Sequence, residues 1–122
     1  NRDFDTLIKF LESNHGNDEI LYDLYKKEKH YKKAIKLSET FYLEDNDPRW
    51  LAEKAILTFE AASDKDDPKM LKKVSSLFDQ AIANGIDDSI YLNYYGYTLI
   101  DKEIDIDKGL KLIEKALQRQ PE

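Results

Sequence analysis

The chain has 122 residues, no cysteine and a net charge of −6 at pH 7. This length suits one domain, and the lack of cysteine excludes a disulfide framework, a thiolate zinc site and a cysteine nucleophile. The acidic balance argues against an extended nucleic-acid interface, which needs a basic face. No apolar run approaches about 18 residues and no signal-peptide pattern is present, so we expect neither a membrane-spanning segment nor an export signal in this stretch.

Amphipathic helix patterns follow one another along the whole chain, with apolar residues three and four positions apart. Four glycines and three prolines leave little room for a hairpin-rich β structure. Asp47-Pro48 and Asp67-Pro68 each place a capping acid before a proline, and Gly16 and Gly85 follow helix ends. We predict seven helices, over about 3–14, 18–29, 31–43, 48–62, 68–84, 88–102 and 107–120.

The odd-numbered predicted helices share an internal pattern. Residues 74–82 read VSSLFDQAI and residues 109–117 read GLKLIEKAL, with a small or modest residue, a large apolar residue four positions later and an alanine three further on. Residues 34–42, AIKLSETFY, follow the same pattern more loosely. Starting points recur at 35–40 residues and the connections are short, which indicates an array of antiparallel helix pairs.

This pattern resembles the tetratricopeptide repeat (TPR), a helix–turn–helix of 34 residues that reads roughly W-x2-L-G-x2-Y, then A-x3-F-x2-A and a closing P. Residues 89–121 match it best, although Leu92 replaces the family's tryptophan. In repeat two Ala55 takes the place of Gly96, and in repeat one the bulky Tyr22 does, so we expect splayed helices or a shifted register there. The matching positions of the last repeat are Leu92, Tyr95, Gly96, Leu99, Gly109, Ile113, Ala116 and Pro121.

The resemblance implies an all-α fold, an α-α superhelix (solenoid) of antiparallel helix pairs. Residues 1–16 would be the second helix of a truncated repeat, and 17–47, 48–87 and 88–122 would be repeats one to three. The chain starts at Asn1 without an initiator methionine, so we expect a piece of a longer protein. The last repeat resembles those of bacterial TPR proteins. Such proteins occur in the cytoplasm, in the periplasm and on membranes, so the compartment stays open.

Gly96 stands in the middle of an apolar helix face. A glycine there costs about 1 kcal/mol relative to alanine, so we predict that the backbone or a large side chain of a neighbouring helix packs closely against it. A glycine that is simply tolerated in a helix is the alternative.

The resemblance also implies that the first helix of each pair lines the concave side of the solenoid. In repeat one these positions are Glu19, Asp23 and Lys26, and the two acids have the wrong charge for the TPR subset that clamps chaperone carboxylates. Repeats two and three instead offer an apolar strip, which suits an amphipathic helix or an extended peptide. A following helix would cover the same strip equally well. The implied lining positions are Ala52, Ile56, Phe59, Ile90, Asn93, Tyr97 and Ile100, and all but Ala52 are predicted partner contacts.

Six lysines cluster around the predicted turn between the second and third helices. Such a patch would suit a phosphate, an acidic peptide or an anionic headgroup. Solvated helix surface is the ordinary explanation of a charge run, and self-association with the acidic remainder of the chain is another. The residues are Lys26, Lys27, Lys29, Lys32, Lys33 and Lys36.

Four acids near the last predicted turn have the spacing of an EF-hand calcium loop. Glu103, Asp105, Asp107 and Glu114 fall at its positions 1, 3, 5 and 12, but Lys108 stands where the loop needs glycine. The same acids would cap the seventh helix, with Asp107 near its positive end. We therefore expect no calcium site.

Catalytic motifs are missing from the sequence. His15 and His30 lie at predicted helix ends, and there is no glycine-rich phosphate loop, nucleophile elbow or zinc-protease motif. We expect no enzyme activity and no cofactor. The preferred hypothesis is a protein–protein interaction scaffold that binds a peptide or partner helix on its concave face. The alternatives are an anion- or membrane-surface-binding adaptor that uses the six lysines, and a structural or dimerisation segment of a larger protein.

Overall fold

The computed structural model describes residues 2–120, which form seven α-helices joined by short turns and contain no strand. The prediction of an all-α chain with seven helices is confirmed, and each predicted bound lies within two residues of the observed one. Pro121, which the TPR resemblance places at the end of repeat three, lies outside the described residues. The helices are α1 (Arg2–Ser13), α2 (Asp18–Lys27), α3 (Tyr31–Asp45), α4 (Arg49–Ala61), α5 (Pro68–Ala83), α6 (Ser89–Asp101) and α7 (Ile106–Arg119).

Aspartate side chains fix the starts of three helices. The Asp47 carboxylate accepts a hydrogen bond from the Arg49 backbone N–H at 2.9 Å, and Asp67 does the same for Lys69 before α5. The expectation that the acids before α7 cap it, with Asp107 near its positive end, is confirmed for Asp105 and Asp107. Asp105 is the residue that caps α7, because its carboxylate accepts from the Lys108 N–H at 3.0 Å, whereas Asp107 lies in the first turn. A capping side chain lies just before the helix, where its oxygen can accept a hydrogen bond from a free N–H of the first turn.

The main helix contacts join neighbours in the chain, above all α6 with α7, α4 with α5 and α3 with α4. Side chains from α1 to α4 form a first buried cluster, and side chains from α4 to α6 form a second. Helix α4 belongs to both. Trp50 and Leu57 contribute to the first cluster, and Leu51, Ala52 and Ala55 to the second.

Gly96 lies in the α6–α7 contact, directly against Gly109. A Cβ atom added at Gly96 would lie 2.9 Å from the Gly109 carbonyl oxygen and 2.8 Å from Ile113 Cγ1. A Cβ added at Gly109 would lie 2.7 Å from the Gly96 carbonyl oxygen. Both distances to backbone oxygen are too short for a real side chain, so the two glycines allow the helices to approach this closely.

Tyr22, the bulky residue at the position where the TPR resemblance predicts a small one, is buried between three helices. Its ring meets Phe41 of α3 edge-on at 5.8 Å between centroids and Trp50 of α4 at 5.4 Å. Contact between α2 and α3 is accordingly less extensive than contact between α6 and α7. The rings of Tyr22, Phe41 and Trp50 fill the space between these helices, which therefore do not approach each other as closely as α6 and α7 do.

Candidate functional site

A polar pocket of about 240 Å³ lies where α2, α4 and α6 come together. Glu53 of α4 connects the three helices. Its carboxylate accepts hydrogen bonds from the Tyr22 hydroxyl at 2.5 Å, the Tyr91 hydroxyl at 2.8 Å and Lys26 Nζ at 3.0 Å. The residues that line the pocket are Glu19, Tyr22, Asp23, Lys26, Arg49, Trp50, Glu53 and Tyr91.

Glu53 is held as a carboxylate. Burial acts to raise its pKa, but the hydrogen bonds from Tyr22, Tyr91 and Lys26 outweigh burial, and the pKa lies below its usual value of 4.5. Burial and the hydrogen bond to Glu53 raise the pKa of both tyrosines, so each hydroxyl remains a donor at neutral pH. The Glu53 carboxylate therefore holds the helices together. It is poorly suited to act as a base, because its oxygens already accept hydrogen bonds from three donors.

The cations of this pocket are engaged by its own aromatic rings. Lys26 Nζ lies 4.7 Å from the Tyr22 ring centroid, and the Arg49 guanidinium lies 4.3 Å from the Trp50 centroid. Both distances are typical of cation–π contacts. The charged residues predicted to line repeat one therefore do reach the pocket, but their cation is already satisfied within the chain.

A second, apolar groove of about 560 Å³ lies between α4 and α6. Phe59 of α4 and Tyr94 of α6 meet edge-to-face in it, with 6.2 Å between ring centroids. Tyr97 stands beside them with 61% of its surface exposed. The lining residues are Phe59, Glu60, Tyr94, Tyr97, Thr98, Ile100 and Asp101.

The structure brings together three of the six predicted partner contacts, namely Phe59, Tyr97 and Ile100. Ile90 is exposed and Asn93 is half-buried, but neither lines the groove. Ile56 is half-buried and packs against the second cluster.

Ala52, an implied lining position, is wrong for that role because it is fully buried in the second cluster. Its small side chain faces the interior, where a partner has no access. The groove includes Tyr94 and Thr98, which the sequence analysis missed. Tyr94, Tyr97, Thr98 and Asp101 recur with spacings of three, one and three residues, a helical signal that could have identified this face.

The six clustered lysines do not act as one free patch. Lys26 is bound by Glu53 of α4, whereas Lys33 is bound by Glu12 of α1 at 3.0 Å. Lys27 Nζ lies 4.8 Å from the Phe4 ring centroid. Lys29, Lys32 and Lys36 are exposed. Charges that are paired internally attract an external anion less strongly than the sequence count suggests.

The acids considered for calcium are distributed over a turn and a helix. Glu103 lies in the α6–α7 turn with φ of 54°, Asp105 caps α7, and Glu114 lies on α7 itself. Across residues 2–120 no group of three or more metal-ligating side chains comes together. His15 and His30 lie next to helix ends, and within the same residues no helix has both the length and the apolar character to cross a membrane.

Comparison of the chain with family models, curated proteins and solved structures finds no match. The TPR resemblance therefore rests on the sequence pattern, and the geometry of the groove carries the functional argument.

Proposed function

We propose that this chain is a TPR-like helical repeat scaffold that binds a peptide or helix of a partner protein in the groove between α4 and α6, without catalysing a reaction. The proposal rests mainly on Tyr97, a largely exposed aromatic residue beside Phe59 and Ile100 in that groove. Exposed apolar surface of this kind in a concave site is typical of protein recognition.

The arrangement of the even-numbered helices supports the solenoid part of the proposal. Glu53 connects α2, α4 and α6 through side chains, which is the connection expected if these are the first helices of three stacked pairs. The pairs would be α2–α3, α4–α5 and α6–α7, with α1 as the second helix of a further pair. A solenoid of stacked pairs has this order, in which each unit contacts its neighbours.

The edge of the groove suggests the chemistry of the partner. Glu60 and Asp101 lie at the groove, and the chain as a whole has a net charge of −6. An apolar side chain of the partner would enter between Phe59 and Tyr97. A lysine or arginine beside it would complement Glu60, since Asp101 already lies 3.8 Å from Lys102 Nζ.

The alternative adaptor that binds anions through the lysines has weaker support, because Lys26 and Lys33 are paired with Glu53 and Glu12. Salt separates the two ideas. Binding through lysines should weaken steeply as ionic strength rises, whereas binding in the apolar groove should change little.

Selection of displayed peptides on this chain tests the proposal. The selected peptides would be titrated against the parent, a Tyr97→Glu variant and a matched Leu43→Glu control, since Leu43 is 82% exposed and lies outside the groove. We expect Tyr97→Glu to weaken binding by about tenfold or more, as loss of a central aromatic contact does, and Leu43→Glu to leave it unchanged. Both variants must retain the helical circular dichroism spectrum of the parent. Equal binding by Tyr97→Glu and the parent would refute recognition in the groove.

A further inference from the structure

The outer face of α7 carries an apolar stripe, which we call the α7 stripe and which consists of Ile106, Leu110, Ile113 and Leu117. Their spacings of four, three and four residues place them on one helix face. Ile106, Leu110 and Leu117 are 49%, 52% and 63% exposed. Ile113 is half-buried because its Cγ1 lies against Gly96. The stripe is separate from the groove between α4 and α6.

The same positions on earlier helices are covered by the next helix of the array. Aligning residues 34–42, 74–82 and 109–117 gives the corresponding stripes, and every residue in them is half-buried or buried. On α5 the cover is α6, because Phe78 stacks on Tyr95 with 4.7 Å between ring centroids. The corresponding residues are Tyr31, Ile35, Ser38 and Tyr42 on α3, and Leu71, Ser75, Phe78 and Ile82 on α5.

A carboxylate accompanies each stripe in the same register. Glu39 of α3 binds Lys54 of α4 with 2.7 Å between Oε2 and Nζ. Asp79 of α5 accepts a hydrogen bond from the Tyr95 hydroxyl of α6 at 2.7 Å, and it also pairs with Lys108 Nζ of α7 at 2.8 Å. Glu114 of α7 occupies the third equivalent position. In each observed case, therefore, the covering helix supplies a donor to the carboxylate.

The two donors also share a position. Lys54 directly precedes Ala55, and Tyr95 directly precedes Gly96, the small residues that occupy the same place in repeats two and three. The donor side chain reaches the carboxylate on the helix that precedes its own. The small residue after it faces the helix that follows, as Gly96 faces Gly109 of α7. A covering helix thus has a recognisable pattern: an apolar face with a lysine or tyrosine followed at once by alanine or glycine.

We infer that the α7 stripe is the docking surface for an amphipathic α-helix of a partner protein, which presents a lysine or tyrosine to Glu114 and a small residue directly after it. This surface continues the interface that α4 makes with α3 and α6 makes with α5. A second copy of the chain is a poorer occupant, because Lys54 and Tyr95 are already engaged within the array. The inference does not depend on the groove.

Two displayed libraries of amphipathic helical peptides test this inference. They differ only at the donor position, which is lysine or tyrosine before a small residue in one library and glutamate in the other. We expect binders chiefly from the first library. Leu110→Glu should weaken them by about tenfold or more and Glu114→Lys by several-fold, while Tyr97→Glu leaves them unchanged. Exchanging the peptide's lysine for glutamate should restore binding to Glu114→Lys. Equal yields from both libraries, or binders indifferent to Leu110→Glu, would overturn the inference.

Two further measurements test whether a second copy of the chain, or another part of the same chain, covers the α7 stripe instead. A concentration-dependent dimer that Leu110→Glu abolishes, seen by sedimentation equilibrium, would assign the stripe to a second copy and overturn the inference. The chain has no cysteine, so a single Leu110→Cys variant reports accessibility cleanly. We expect rapid thiol labelling in dilute full-length protein. Protection of this thiol in the monomer would show that the protein's own chain covers the stripe, and would equally overturn the inference.

Discussion

Replacing Glu53 by glutamine tests whether the carboxylate that connects α2, α4 and α6 stabilises the fold. Glutamine keeps the size of the side chain and one acceptor oxygen, but it removes the charge and turns the second oxygen into a donor. The Tyr22 and Tyr91 hydroxyls, which both donate to Glu53, then compete for a single neutral acceptor. Lys26 loses its ion pair, but its head group is partly exposed and can regain water.

The magnitude follows from the number and kind of these hydrogen bonds. A hydrogen bond to a charged group contributes about 1.5–3 kcal/mol, against about 1 kcal/mol for a neutral one. Two tyrosine hydrogen bonds are weakened, and the lower desolvation cost of the neutral amide offsets part of the loss. We expect Glu53→Gln to reduce the free energy of unfolding by about 2 kcal/mol at pH 7.

Glu39→Gln is the matched control for this substitution. Glu39 also forms one ion pair, with Lys54, but its side chain is 46% exposed against 15% for Glu53. Exposed pairs contribute at most about 1 kcal/mol, so the control should lose much less stability. Urea unfolding followed by circular dichroism and by the fluorescence of Trp50, the single tryptophan, which lines the same pocket, measures both variants.

The effect should also depend on pH in a defined direction. The pKa of Glu53 is lower in the folded chain than its usual value of 4.5, so its contribution is full above that value and is lost as pH falls through the folded pKa. The difference between the parent and Glu53→Gln should therefore shrink in acid. A difference below about 0.5 kcal/mol at pH 7, within the range of ordinary surface substitutions, or one that persists unchanged at the lowest pH where both proteins fold, would refute the reasoning.

Two further substitutions test the packing and capping of the last helix pair. Gly96→Ala gains about 1 kcal/mol of helix propensity, but its Cβ would meet the Gly109 carbonyl oxygen at 2.9 Å. Overpacking costs about 1–3 kcal/mol, so thermal unfolding should show a net loss of stability, and a stabilised variant would contradict the close contact. Asp105→Ala should cost about 1 kcal/mol and Asp105→Asn only a fraction of that, because asparagine also caps helices. An equal loss in Asp107→Ala would show that the cap has been assigned to the wrong aspartate.

Local signals accounted for the secondary structure. Helix periodicity and the Asp-Pro pairs at Asp47 and Asp67 predicted all seven helices, since both act within a few neighbouring residues. The reason for Gly96 could also be argued from sequence, because a glycine on a buried helix face needs a compensating contact.

The polar pocket at Glu53 and the apolar groove between α4 and α6 could not be predicted from local signals. Glu53 meets Tyr22 and Tyr91 from positions 31 and 38 residues away. Periodicity identifies the faces of a helix but not its rotation against the neighbours. The groove consequently includes Tyr94 and Thr98 beside the predicted Tyr97, Asn93 does not line it, and Ala52 turns inward.

Helix α4, which takes part in both buried clusters, determines how the chain should unfold. Melting of α4 would remove the side chains that join the two clusters, so we expect the two halves to lose their structure together. Amide protons in the middle of α4 should therefore exchange only through global unfolding, and those of α1, which contacts little beyond α2, through local opening. The position of α4 thus gives the helices on both sides of it a shared unfolding transition, although each of them contacts mainly its neighbours in the chain.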